Sequence, residues 1–400
     1  MLTCPPEFLT CRDIMLACRC LIAVAFFSLL ASSATLIAAE PTAAWPKIAE
    51  YFKPPKTFAG DLGEFRSPLK FYDGRMVTSP EQWTERRKEI LSKWHELLGG
   101  PWPALLEQPK LERGKSERRE SFTQHAVLID IAQGKRAEGY LLVPDGKGPF
   151  PAVLVPFYEA KSSVGLGKSG QGTYDFALQL VRRGFVTLAI ATPGSVEHPE
   201  IADDTRKLLV LAGDEQRRQP LSYLAYVSAN CHTALSQQPE VDGKRIGIVG
   251  HSYGGKWSMF SSCLYDKFAC AVWCDPGIDF DEANRNINYW EPWYIGWEPG
   301  EKRKPGVPTD ENPRTGLYKK LYEQREYDLL EFTSLMCPRP VLISGGSEDP
   351  PYRWCHLNHL IQINKLLGHD NRVAMTNRNG HTPTPDAVEA IGNFFEQFLK

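Results

Sequence analysis

The sequence predicts an α/β fold: a mostly parallel sheet with helices on both faces. Two observations carry this. Short, almost wholly apolar runs recur at 152–155, 185–190, 246–249, 269–273, 341–344 and 373–376, and a strand apolar on both sides is one buried on both faces. Segments of helical pattern lie between or after them, at 174–182, 223–235, 256–264, 357–367 and 385–399. Such alternation is the pattern of a parallel sheet layered with helices. A third observation fixes where the chemistry sits. The strand 246–249 runs into Gly250-His251-Ser252-Tyr253-Gly254 and a helix leaves it, the context in which a serine is thrown clear of the sheet on a sharp turn.

Each further element follows in order. Residues 1–39 have the form of a removable export signal. Residues 21–30 are almost wholly apolar, Arg19 precedes them, and Ser32-Ser33-Ala34 or Ile37-Ala38-Ala39 offers cleavage sites. Met15 is an alternative start, and an uncleaved membrane anchor is the competing reading of 21–39. A secreted or periplasmic chain without stable membrane insertion is expected. Residues 40–120 then form a helical extension. Ser79-Pro80-Glu81-Gln82 is a capping box with proline at the first helical position. It opens an amphipathic helix through Trp83, Ile90, Trp94 and Leu97, ended by Gly99-Gly100-Pro101. The charged stretch 107–120 reads as a solvated linker.

Residues 121–400 are the catalytic domain, opened by a hairpin at 123–131 and 139–143. Between the strands 269–273 and 341–344, residues 275–337 form an insertion far longer than a usual connection. It carries Tyr289, Trp290, Trp293, Tyr294 and Trp297, and is expected to lie over the site as a lid, its aromatic cluster reading as lid core or as a sugar-stacking platform in which Trp290, Trp293 and Trp297 touch substrate.

Composition narrows the class. The chain has 400 residues, 42% of them hydrophobic and 24% charged, with a net charge of −2. That suits one large domain and argues against a nucleic-acid partner. Removing the signal takes away Cys4, Cys11, Cys18 and Cys20, leaving Cys231, Cys263, Cys270, Cys274, Cys337 and Cys355. These lack paired zinc spacing, and disulfides and buried thiols both remain open.

A serine hydroxyl needs a base to take its proton and an acid to orient that base. His381, in Arg378-Asn379-Gly380-His381-Thr382 after the last strand, has the base's position. Asp349 ends the glycine turn after strand 341–344 and is the favoured acid, with Asp275 in reserve. The backbone N–H of Tyr253 is one oxyanion donor, and the loop after 152–155 supplies the other, with Tyr158 the candidate. Glu159 beside it is unsuited to a developing negative charge and reads as a substrate-contacting or a structural group. His356 and His359 lack an acidic partner for a zinc motif and read as a helix face. His251 reads as packing beneath the turn. No metal or cofactor is called for.

These motifs resemble the α/β-hydrolase superfamily. Val241-Asp242-Gly243-Lys244-Arg245-Ile246-Gly247 before Gly250-His251-Ser252-Tyr253-Gly254-Gly255 looks like the dienelactone-hydrolase and acetyl-xylan-esterase-like branch. The resemblance covers about 123–400. It implies an eight-stranded sheet, an insertion before the penultimate strand, and a triad of Ser252, Asp349 and His381. Dienelactone hydrolases proper use cysteine where this chain has Ser252. Gly255-Lys256 is similar to glucuronoyl esterases, which carry arginine where this chain has Tyr253. The expectation is a serine hydrolase of carboxylic esters, small-molecule or carbohydrate. A prolyl-oligopeptidase-like peptidase and a non-catalytic binding protein of the same fold are the alternatives.

Overall fold

Period-two alternation over Phe122–Ala132 (β2) and Lys135–Pro144 (β3) makes an antiparallel hairpin, closed at Gly134, whose φ is +66°. A left-handed residue of this kind favours glycine. The computed structural model describes residues 43–167, 173–191, 218–301, 303–324 and 327–400. The export signal and its cysteines lie outside the described residues.

Leu111–Arg119 is a strand, β1, paired antiparallel to β2, and not the linker that its charges suggest. Its residues are nearly all exposed. Charge there dresses the sheet's edge against pairing with other chains, so polarity hid a strand that takes its hydrogen bonds from the neighbouring hairpin. The buried strands follow: Phe150–Phe157 (β4), Val186–Ala191 (β5), Val241–His251 (β6), Cys270–Cys274 (β7), Val341–Gly345 (β8) and Val373–Asn377 (β9). Together they form a nine-stranded sheet in the order β1-β2-β3-β5-β4-β6-β7-β8-β9, one strand more than the resemblance implies. From β5 onward every pairing is parallel.

Helices cover both faces, as the strands' two-sided apolarity requires. Phe176–Arg182 (α4) and Pro385–Leu399 (α10) enclose one core with Phe185, Phe394 and Phe395. The short Trp45–Ile48 helix (α1) belongs to this core. Pro220–Ser236 (α5) and Tyr253–Leu264 (α6) lie in the other, larger core. Two helices from the insertion, Gly316–Gln324 (α7) and Leu329–Ser334 (α8), join that core, as do Tyr289, Trp290 and Tyr294. The insertion's aromatic residues are therefore mostly core. The described residues form one compact unit. No described helix is long and apolar enough to cross a membrane. All six described cysteines are free thiols, five of them buried.

The extension has a definite partner. Ser79 caps the helix Pro80–Leu97 (α2) by accepting from Gln82 N at 3.3 Å, and Gln82 reaches back to Thr78 N at 2.7 Å. One face buries Trp83, Ile90 and Trp94, and the Trp94 ring lies 4.8 Å from Phe332 of α8. Arg86, fully buried, pairs with Glu331 of α8 and donates to Pro68 O at 3.1 Å. The Tyr72 hydroxyl donates to Glu331 at 2.9 Å.

Burial pushes the Glu331 carboxyl up, and Arg86 pulls it back. An acid whose folded value lies above its unfolded one loses stability as pH rises through that interval. Arg86→Ala strands Glu331 in the core and is expected to cost about 3–5 kcal/mol at pH 8. The loss should shrink at pH 5, where Glu331 can take a proton. Urea unfolding at the two pH values checks both the loss and its sign.

Candidate active site

The turn from β6 into α6 depends on missing side chains. Ser252 holds φ +55° and ψ −110°, a conformation costing a non-glycine residue about 1–3 kcal/mol. A Cβ on Gly250 would lie 2.2 Å from Gly254 O, and one on Gly254 would lie 2.3 Å from Pro156 O. Both distances are far inside contact, so only glycine lets the turn close against β4. Ser252 N donates to Cys274 O at 2.9 Å, tying the turn to the end of β7. This is the elbow geometry that the sequence pattern predicts.

His381 follows β9 and lies at the same edge. Its Nδ1 is 2.8 Å from Asp275 Oδ2 and 3.5 Å from Glu348 Oε1. The acid beside the imidazole is thus Asp275 and not Asp349. The Asp349 carboxylate instead accepts from the backbone of Gly277 and Ile278, at 2.8 and 2.7 Å. The turn Gly345-Gly346-Ser347-Glu348 brings its own backbone N–H groups to Asp275, and Asp349 points past it to the next loop. Asp275 is fully buried and holds φ +52°. Its Oδ1 accepts from the N–H groups of Gly346, Glu348 and Asp349, at 2.6, 3.2 and 3.0 Å. That leaves Oδ2 for the imidazole. Glu348 is also buried, and its Oε1 accepts from Asn286 and Ser347.

Asp275, Glu348 and His381 bring ligand-type atoms within 4.8 Å of one another. With Nδ1 already engaged by Asp275, the arrangement suits orientation of an imidazole. Among the described residues no hydrogen bond joins Ser252 to His381. The phenol of Tyr158 interacts with both Ser252 and Tyr294. Catalytic hydrogen bonds are often incomplete before substrate binds.

On the opposite side, Tyr253 begins α6 directly after the serine. Its N–H lies at the helix N-terminus, where backbone donors and the helix dipole favour negative charge. The Tyr158 ring lies 4.9 Å from Tyr253, and Tyr253 lies 5.4 Å from Tyr294. Loss of water raises the pKa of both the Tyr158 and the Tyr294 phenol, so each stays protonated and able to donate. Beneath them Lys256 is buried, donating to Pro276 O at 2.6 Å and Asn286 O at 3.2 Å. Burial pushes its ammonium down to about 8. His251 is buried, with its ring 4.5 Å from that of His381. Burial and the neighbouring His381 hold it well below its ordinary value, which keeps it neutral against the imidazole.

Other expected site residues lie elsewhere. Trp290 is buried against Tyr318 in the insertion's core. Trp293 is half-buried, packed on Tyr294. Trp297 is held by Gln219 and lines a cavity of about 1160 Å³ with His95, whose lining includes neither Ser252 nor His381. Glu159 accepts from Ser162 Oγ at 3.4 Å and lines a cavity of about 610 Å³ beside β1–β3 that likewise excludes the serine. The aromatic residue of the insertion that reaches the site is Tyr294, and no periodicity or motif marks it out from its neighbours. His356 binds Thr333 and Asp279, and His359 lies 2.9 Å from Leu62 O, so both serve packing.

Comparison with known proteins agrees with this fold. The prolyl oligopeptidase family matches residues 228–397. A Bacillus subtilis (strain 168) protein named as a hydrolase, YtaP, is 26% identical over 196 residues, 47% of this chain. The aligned part spans 62% of that relative's length. Among solved structures, a glucuronoyl esterase from Solibacter usitatus superposes with a TM-score of 0.66 at 17% identity, covering 85% of this chain and 99% of that one. A carbohydrate esterase family 15 glucuronoyl esterase from Caldicellulosiruptor kristjansonii gives 0.59 at 17% identity, covering 87% and 93%. A Bacteroides fragilis NCTC 9343 protein assigned as an acetyl xylan esterase gives 0.53 at 17%, covering 78% and 79%. With its elbow serine and its parallel sheet, the chain has the α/β-hydrolase fold.

Proposed function

We propose that the protein is a serine hydrolase of carboxylic esters, acting on acylated or esterified carbohydrates. One observation carries the reading: a strained Ser252 at the sheet's carboxyl edge shares that edge with a His381 imidazole oriented by a buried Asp275. In this reading Ser252 Oγ attacks the ester carbonyl, and His381 takes its proton and returns it to the leaving alcohol. Asp275 holds the imidazole in place and stabilises its charged form. The Tyr253 N–H and the Tyr158 hydroxyl receive the developing oxyanion, and water then releases the acyl group. The carbohydrate substrate is supported by the names of the fold's neighbours, which include glucuronoyl and acetyl xylan esterases.

The matched prolyl oligopeptidase family favours a peptidase as the second reading. Against it, β1–β3, from the N-terminal part, build into the catalytic sheet and form no separate propeller. Assaying p-nitrophenyl acetate, an acetylated xylo-oligosaccharide and a methyl glucuronate beside a peptide anilide separates the two. Peptide cleavage without ester cleavage would sink the esterase.

Ser252→Ala is expected to lower kcat by at least about 10³-fold, and to abolish fluorophosphonate labelling. Asp275→Asn should lower kcat by about 10⁴-fold. Glu348→Gln should cost less, because its oxygen is 3.5 Å from Nδ1 and not 2.8 Å. Steady-state kinetics of the pair rank the two acids.

Tyr158→Phe removes one oxyanion donor and is expected to lower kcat by about 10²–10³-fold with KM little changed. A KM effect alone would assign Tyr158 to substrate binding.

Export through residues 1–39 belongs to the same proposal. N-terminal sequencing of the expressed chain should find a start after Ala34 or Ala39; retention of Met1 or Met15 would contradict it.

A further inference from the structure

We infer that Asp349 is a positioning residue that fixes the loop carrying Asp275 and, through it, the imidazole of His381. The inference rests on the serine-hydrolase reading above. Two neighbouring loops, after β7 and after β8, exchange hydrogen bonds reciprocally. The β8 loop gives Asp275 three backbone N–H groups, from Gly346, Glu348 and Asp349. In return the Asp349 carboxylate takes the N–H groups of Gly277 and Ile278, two and three residues beyond Asp275. Each loop thus supplies both an acid and the donors for the other's acid.

Both carboxylates are fully buried, so an unmet N–H or oxygen here lacks water to replace its partner. Asp275 at φ +52° and Gly277 at φ +76° are both in the left-handed region. Such backbone persists only where surrounding contacts over-determine it, and the two bonds to Asp349 close that segment from below. There is no slack above it. A Cβ on Gly346 would lie 2.6 Å from Asp275 Oδ2 and 2.4 Å from Gly380 O, the residue before His381. The two acids are kept apart electrostatically, with Arg378 3.7 Å from Asp275 and Arg353 3.6 Å from Asp349. Arg353 in turn pairs with Asp279 at 3.1 Å, and Asp279 is held by His356. The chain of contacts runs from the helix Trp354–Leu366 (α9) to the imidazole without an exposed group until His381.

The decisive variant is Asp349→Asn in the full chain. A carboxamide presents one acceptor and one donor to two N–H groups, so one bond is lost and a donor faces a donor. The expected result is a ten- to hundredfold fall in kcat for p-nitrophenyl acetate with KM within twofold. Fluorophosphonate labelling should slow by the same factor. The low-field proton resonance of His381 Nδ1–H, identified by its loss in Asp275→Asn, should move or broaden, and the amides of 277–278 should exchange faster with deuterium. An unchanged kcat overturns the inference, as does a lower kcat with resonance and exchange both unchanged. Should Asp349→Asn fail to fold, Asp275→Asn reads the clasp from the other side: faster exchange at both 346–349 and 277–278 supports it, and faster exchange at 346–349 alone overturns it. A wild-type protein inert to esters and fluorophosphonate defeats the serine-hydrolase reading instead, a result that the resonance and exchange data do not depend on.

Discussion

Close backbone approach at the end of β6 is the constraint on which the site depends. Ser252 sits at φ +55° because Gly250 and Gly254 let the turn fold onto itself and onto Pro156. A Cβ at Gly250 would force the turn open against Gly254, and one at Gly254 would push β4 away at Pro156. The same turn donates from Ser252 N to Cys274 O, which sets the height of the β7 loop and of Asp275 within it. Strain at one residue is therefore held by the three strands around it, and those strands are held by two cores.

The insertion and the extension are joined to that framework as packed structure. Tyr294 reaches the serine's neighbourhood because Tyr289, Trp290 and Tyr318 are buried behind it. Lys256 links helix α6 to the Asp275 loop and to the insertion through two carbonyl oxygens. At the insertion's far end, α8 is gripped by α2 through Arg86, Glu331 and Trp94. The extension thereby braces the insertion.

Much of the fold was legible because strand and helix periods are local properties. The apolar runs that became β4–β9 are buried on both faces, which leaves no ambiguity of period. β1 was missed because an edge strand has no buried face, and its charges read as solvent-exposed loop. Of the site, chain order alone points to Ser252 and His381, and the structure brings both to one edge of the sheet. Asp349 was not at the imidazole, because a glycine turn followed by an acid does not say whether the side chain or the backbone of that turn faces it. Of the tryptophans expected at the substrate, Trp290 is drawn into the core, where its apolar area is buried, Trp293 is half-buried on Tyr294, and Trp297 lines a separate cavity.

By itself the sequence determined the sheet, the elbow and the Ser-then-His order, since each rests on residue type at short spacing. Only the tertiary structure decided which acid lies beside His381, which aromatic residue of the insertion meets Tyr158 and Tyr253, and what the extension holds. Those depend on contacts between segments remote in sequence: Asp275 with His381, Tyr158 with Tyr294, and Arg86 with Glu331. A pattern of nearest neighbours carries no information about such pairs until the strands between them are stacked.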